Sequence, residues 1–111
     1  MATFRRLELQ TKLEEIMARH VPKPWKTNRV LYQPPETFKM EYPCIRYRLD
    51  GMAPVHADDI HYLRMVRWNL TLVDRDPDSE IPFSILTLPY CRMDQYYTAD
   101  NLHHWTFTLY W

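Results

Sequence analysis

The sequence predicts an α+β fold: a mainly antiparallel sheet with an N-terminal helix and a second short helix before a C-terminal β-hairpin. Three observations lead there. An amphipathic helical stripe opens the chain, alternating apolar and polar runs recur at 42–50, 63–74 and 103–111, and a proline-rich stretch separates the stripe from the first of those runs. With 111 residues, 46% hydrophobic and 14% aromatic, the chain is too apolar for disorder and too short for two cores, so one domain over 1–111 is expected.

The first helix is expected over residues 3–20. Leu9, Leu13, Ile16 and Met17 fall on one stripe, Thr3 can cap the start, and Glu8 near the start with Arg19 and His20 near the end suit the helix dipole. Pro22 and Pro24 stop it. Residues 21–41 read as an irregular connection with an edge strand, Arg29 to Gln33, cut short by Pro34 and Pro35.

From Tyr42 to Asp50, Ile45, Tyr47 and Leu49 alternate with Cys44, Arg46 and Arg48, which predicts a strand with one wet face. Gly51, the only glycine, is read as opening a loop through His56, Asp58, Asp59 and His61 that lasts until about Tyr62. Leu63 to Asp74 is the strongest strand, with Val66, Trp68, Leu70 and Leu72 on one face. Asp74 to Glu80 combines a strand end, a turn and helix-capping residues, and Pro82 suits a first helical turn. Ile81, Ile85, Leu86 and Leu88 then give a short amphipathic helix closed by Pro89. Residues 90–98 and 103–111 form a hairpin across Thr98 to Leu102, with His103, Trp105, Phe107, Leu109 and Trp111 on one face.

Composition excludes several functions. Fourteen basic residues balance fourteen acidic ones, which removes the general attraction that sequence-blind nucleic-acid binding needs. No run approaches the roughly 20 apolar residues of a membrane span, and Arg5 and Arg6 are not followed by an apolar leader, so a soluble protein made in a cytoplasm is expected. Cys44 and Cys91 belong to no C-x-x-C pair and read as small buried hydrophobes, with neither structural zinc nor a disulfide framework. A single glycine excludes phosphate-cradling loops, and no serine sits in a nucleophile-elbow setting.

Three constellations carry residue types capable of chemistry. His56, Asp58, Asp59 and His61 are metal-ligand types, but no further separated ligand set of matching character accompanies them unless His103 or His104 folds close by, and the loop reads as solvated. His103 and His104 beside Asp100 suggest an acid-base pair, yet alternation sends the two rings to opposite faces. Tyr47, Trp68, Tyr96, Tyr97, Trp105 and Tyr110, with Arg46, Arg48 and Arg67, offer the alternative of a small single-stranded nucleic-acid-binding domain; the competing reading places the aromatics under the helices and at interfaces. No catalytic residue, cofactor or metal is assigned. The predominance of Arg over Lys, with abundant Tyr, Trp and Met, fits an interaction protein better than an enzyme.

The series Tyr42-Pro43-Cys44-Ile45-Arg46-Tyr47, Ala57-Asp58-Asp59 with Tyr62, Leu72-Val73-Asp74-Arg75-Asp76-Pro77-Asp78-Ser79, Leu88-Pro89, then Asp94, Tyr97, Asp100, Asn101, Leu102 and His103, and finally Phe107-Thr108-Leu109-Tyr110, resembles the small tail terminator or tail completion proteins of long-tailed bacteriophages and prophages. The likeness covers most of the chain from about residue 29 onward and rests on the order and spacing of the pieces. Where that pattern leads one to expect an arginine after the aspartate of the penultimate strand, this chain has Gln95.

The resemblance implies a non-enzymatic virion protein, assembled in the host cytoplasm and placed in the tail or neck region. It would form a ring of its own copies, typically a hexamer, on the head-proximal end of the major tail tube protein. That ring ends tube growth and presents a surface to the head-tail connector. A neck or head-completion protein is the alternative within the same class. Membrane and sequence-specific nucleic-acid partners are not expected. The expected contact residues are Arg46, Arg48 and Arg67 on the sheet, His56, Asp58, Asp59 and His61 in the long loop, Asp76 and Asp78 in the next turn, and Asp100 and Asn101 in the hairpin turn.

Overall fold

The structure, a computed structural model, describes residues 5–35, 39, 41–54 and 64–111. Among these the order is α1 (Arg5–His20), β1 (Val30–Tyr32), β2 (Cys44–Pro54), β3 (Arg64–Asp74), α2 (Ile81–Ile85), β4 (Cys91–Ala99) and β5 (Leu102–Tyr110). The strands form one sheet ordered β1-β2-β3-β5-β4. Every pairing is antiparallel except β1 on β2, which is parallel. The expected α+β class is what the chain adopts.

Helix α1 buries its stripe completely: Leu9, Leu13, Ile16 and Met17 join Ile45, Leu70, Leu72, Phe107 and Leu109 in one apolar cluster. Gln10 fixes its seat. Its amide donates to the Val30 carbonyl at 2.9 Å, and its side-chain oxygen accepts from the Tyr47 hydroxyl, so one residue ties α1 to both β1 and β2. At the far end His20 Nε2 meets Ser84 Oγ at 2.8 Å and links α1 to α2. Thr3, the expected cap, lies outside the described residues.

Several sequence readings need correction. Gly51 does not open a loop: β2 runs on to Pro54, and the register shifts between Leu49 and Gly51, leaving Asp50 as the extra residue of a bulge. The glycine supplies room, since a Cβ there would stand 2.9 Å from Arg67 Nη2. Leu49 is 38% exposed although it alternates with buried Tyr47. Cys44, read as a small buried hydrophobe although it alternates with the apolar face, is fully buried, and its cross-strand neighbours Val73 and then His104 are buried with it.

The β2–β3 ladder continues through Met52↔Val66, Ala53↔Met65 and Pro54↔Arg64, whereas β5 pairs with β3 only as far as Arg67. A two-stranded arm therefore projects past the rest of the sheet and carries the segment 55–63.

Helix α2 is a single short turn of five residues. Ser79 Oγ accepts from the Ile81 amide at 3.3 Å, and Pro82 occupies the first turn as expected. Ile81, Ile85 and Leu88 are buried, but Leu86 is half-exposed, being rotated about 100° from Ile85 around the helix axis. The hairpin narrows to a two-residue turn at Asp100 and Asn101, whose φ values of 53° and 62° are those of a type I′ turn. Asp and Asn tolerate this left-handed backbone better than most residues.

Two stability outcomes follow. Phe107 is fully buried at the centre of the cluster, and Phe107→Ala should cost about 3–5 kcal/mol in urea denaturation. Asn101→Gly should leave stability within ~1 kcal/mol of the parent, while Asn101→Val should lower it by at least that much, since a β-branched residue opposes positive φ.

Candidate functional site

Strand alternation divides the sheet into a face covered by the helices and an open face. In the register, Arg46 stands opposite Thr71, Arg48 opposite Asn69, and Gly51 opposite Arg67. Thr71 and Asn69 then adjoin Thr106 and Thr108 of β5, which adjoin Gln95 and Arg92 of β4. The result is a polar trough of about 810 Å³ on the open face, lined among others by Arg46, Arg48, Asn69, Thr71, Gln95 and Thr106.

The electrostatics of this face are uneven. Arg67 Nε pairs with Asp50 at 3.1 Å, and Arg92 Nε with Asp94 at 3.0 Å. The other Asp94 oxygen accepts from the Thr108 hydroxyl. Arg46 and Arg48 make no ion pair with any described carboxylate, and Arg46 Nε is buried without an acceptor.

One end of the open face is closed by stacking: the Tyr97 and His104 rings lie 4.7 Å apart and nearly parallel. His104 Nδ1 approaches the Leu102 carbonyl at 3.2 Å, and since a carbonyl only accepts, Nδ1 carries the proton. Burial, reinforced by the Arg46 charge, holds the His104 pKa below its ordinary 6.5. On the other face His103 pairs with Tyr96, Nδ1 to hydroxyl 2.6 Å, so the two histidines do point apart. Burial pushes the Cys44 thiol to about 12 and the half-buried Cys91 thiol to about 11, leaving both protonated near neutrality.

The two borders of the sheet differ. At β1, the Val30 amide donates to Asn28 Oδ1 at 3.1 Å and its carbonyl accepts from Gln10, so the outward backbone groups of that residue are satisfied within the chain. Pro34 and Pro35 follow. At β4, every residue from Arg92 to Ala99 is exposed. Six of the nine exposed large hydrophobics among the described residues, from Phe83 (72% exposed) and Tyr90 (69%) to Met93, Tyr96 and Tyr97, lie on α2, the turn after it and β4, four of them on β4 or directly before it.

The expected contact residues separate into groups. Arg46, Arg48 and Arg67 share the open face. Asp76 Oδ1 accepts from the Asp78 amide at 2.9 Å, an Asx-type bond that shapes the turn after β3. Asp100 and Asn101 form the hairpin turn. His56, Asp58, Asp59 and His61 lie outside the described residues. Among described residues no set of three or more His, Cys, Asp and Glu converges as a metal site. Tyr47, Trp68 and Trp105 are buried beneath the helices, which removes them as base-stacking platforms. The polar line Arg67, Asn69, Thr71 with Thr106 and Thr108 was visible as the partner pattern of the apolar alternation; the exposure of Phe83, Tyr90 and Met93 was not, because apolar residues in sequence look the same whether covered or bare.

His104 supplies a pH signature. Its neutral form is favoured by folding, so its contribution is complete above pH 6.5 and is lost as pH falls through and below that value. Denaturation midpoints should drop on acidification across this range, and His104→Gln should show a shallower drop than the parent. No protein-family model matches this chain, and neither a curated protein nor a solved structure does, so its function is read from the residues themselves.

Proposed function

We propose that this protein is a non-enzymatic virion component that assembles into a ring on the head-proximal end of a bacteriophage tail tube, ends tube growth and joins the tail to the head connector. The observation that carries the reading is the contrast between the two borders of the sheet: at one, Val30 has its outward carbonyl and amide bonded to Gln10 and Asn28; at the other, β4 is exposed from Arg92 to Ala99 and Tyr90 and Met93 are bare. A ring closes through a head-to-tail contact, in which one surface of a copy meets a different surface of the next, and a chain with unlike borders meets that requirement. Zero net charge opposes such association little. Growth stops because the surface left facing away from the tube lacks the docking chemistry of a tube subunit.

In this reading the exposed β4 border, with Tyr90 and Met93, forms the contact between copies. Asp58 and Asp59 would meet arginines of a neighbour such as Arg46, Arg48 or Arg67. Native mass spectrometry and electron microscopy of the purified protein with tail tubes test the reading. The parent should form rings or cap tubes; the double variant Tyr90→Asp, Met93→Asp should remain folded and weaken self-association by at least about tenfold, as expected for removing apolar anchors of a contact. Charge reversal at Asp58 and Asp59 should weaken tail capping. Particles made without the protein should show overlong or headless tails; leaking heads with normal tails would instead indicate a neck component.

A further inference from the structure

We propose that the open face of the sheet is a receiving surface for an extended acidic segment of a partner protein, with Arg46 and Arg48 as the pair that takes its carboxylates. The first support is charge. Arg29, Arg67 and Arg92 each have a carboxylate partner, at 3.3, 3.1 and 3.0 Å. Arg46 and Arg48 have none among the described residues, and the Arg46 Nε–H is buried with no acceptor. The one carboxylate lining the trough, Asp94, is engaged by Arg92 and Thr108, so the trough presents donors in excess of acceptors. A carboxylate accepts two parallel N–H bonds from a guanidinium, and neither Arg46 nor Arg48 spends its guanidinium on a described carboxylate.

The second support is spacing. Arg46 and Arg48 are alternate residues of one strand on one face, about 7 Å apart along it. An extended peptide repeats its side chains on one face at the same interval, so acids at alternate positions meet both arginines at once. Around them Asn69, Thr71 and Thr106 offer amide and hydroxyl groups to the visiting backbone.

A peptide fits this face better than a nucleic acid. Single-strand binding relies on exposed aromatic platforms, yet Tyr47, Trp68 and Trp105 are buried on the opposite side, and Tyr97 is already stacked on His104. The inference does not require ring formation and is tested on the protein in whatever oligomeric state it adopts.

The test titrates the full chain with a capped peptide bearing aspartate at every second position, and in separate arms with its asparagine counterpart, inorganic phosphate and a single-stranded oligothymidine. Amide and arginine Nε–H nuclear magnetic resonance signals are followed. The expected result is that the aspartate peptide moves the Arg46 and Arg48 signals, the asparagine peptide does not, and Arg48→Gln and Arg46→Gln each weaken binding by about tenfold, with the amide spectrum confirming an intact sheet. Arg48 is exposed, so its variant keeps the test decisive if Arg46→Gln fails to fold. Equal binding of the asparagine peptide, unchanged affinity in Arg48→Gln, saturation by phosphate with the same shifts, tighter binding of the oligothymidine, or no binding to the parent would each overturn the proposal.

Discussion

The structure is governed by a shortage of helix. Five strands at about 4.8 Å spacing make a sheet close to 20 Å across, whereas one helix with its side chains is about 10–12 Å wide. Helix α1 spends its whole apolar stripe on the central strands, and α2 adds only a single turn. What the helices cannot reach stays bare. Met93 and Tyr96 on the border strand β4 lie on the helix side and are nevertheless exposed. The core and the uncovered border are thus two results of one mismatch in width.

Much of this was written plainly in the chain. The period of two in β3 and β5 identifies both strands and the faces they turn inward, because Trp68, Leu70 and Leu72 and their neighbours Trp105, Phe107 and Leu109 are all buried. The opening stripe is equally direct. Three features were not legible. The edge strand expected within Arg29 to Gln33 is there as Val30–Tyr32, but its parallel pairing depends on a contact distant in sequence and has no local signature. The bulge at Asp50 adds one residue and breaks the alternation on which the reading depends, so a strand was mistaken for a loop at Gly51. The burial of Val73 and His104 around Cys44, on the face that alternation marks as wet, depends on packing at one end of three strands and has no local signature.

The site shows the same division. Arg46, Arg48 and Arg67 could be placed on one face from alternation alone, but their inequality could not. Only the structure shows that Arg67 is held by Asp50 while Arg46 keeps a buried N–H without an acceptor. Charge counts treat the three as equivalent; the availability of each depends on which carboxylate the register brings within reach.

Gln10 and Asn28 have a consequence beyond holding β1 in place. Fibrous stacking of sheets demands that each molecule offer ladder hydrogen bonds on both sides, so that the newest arrival always becomes the next template. Here the Val30 rungs are already occupied from within. A strand approaching this border therefore finds no free rung at Val30, and the two flanks of the sheet are unequal as templates for a further copy.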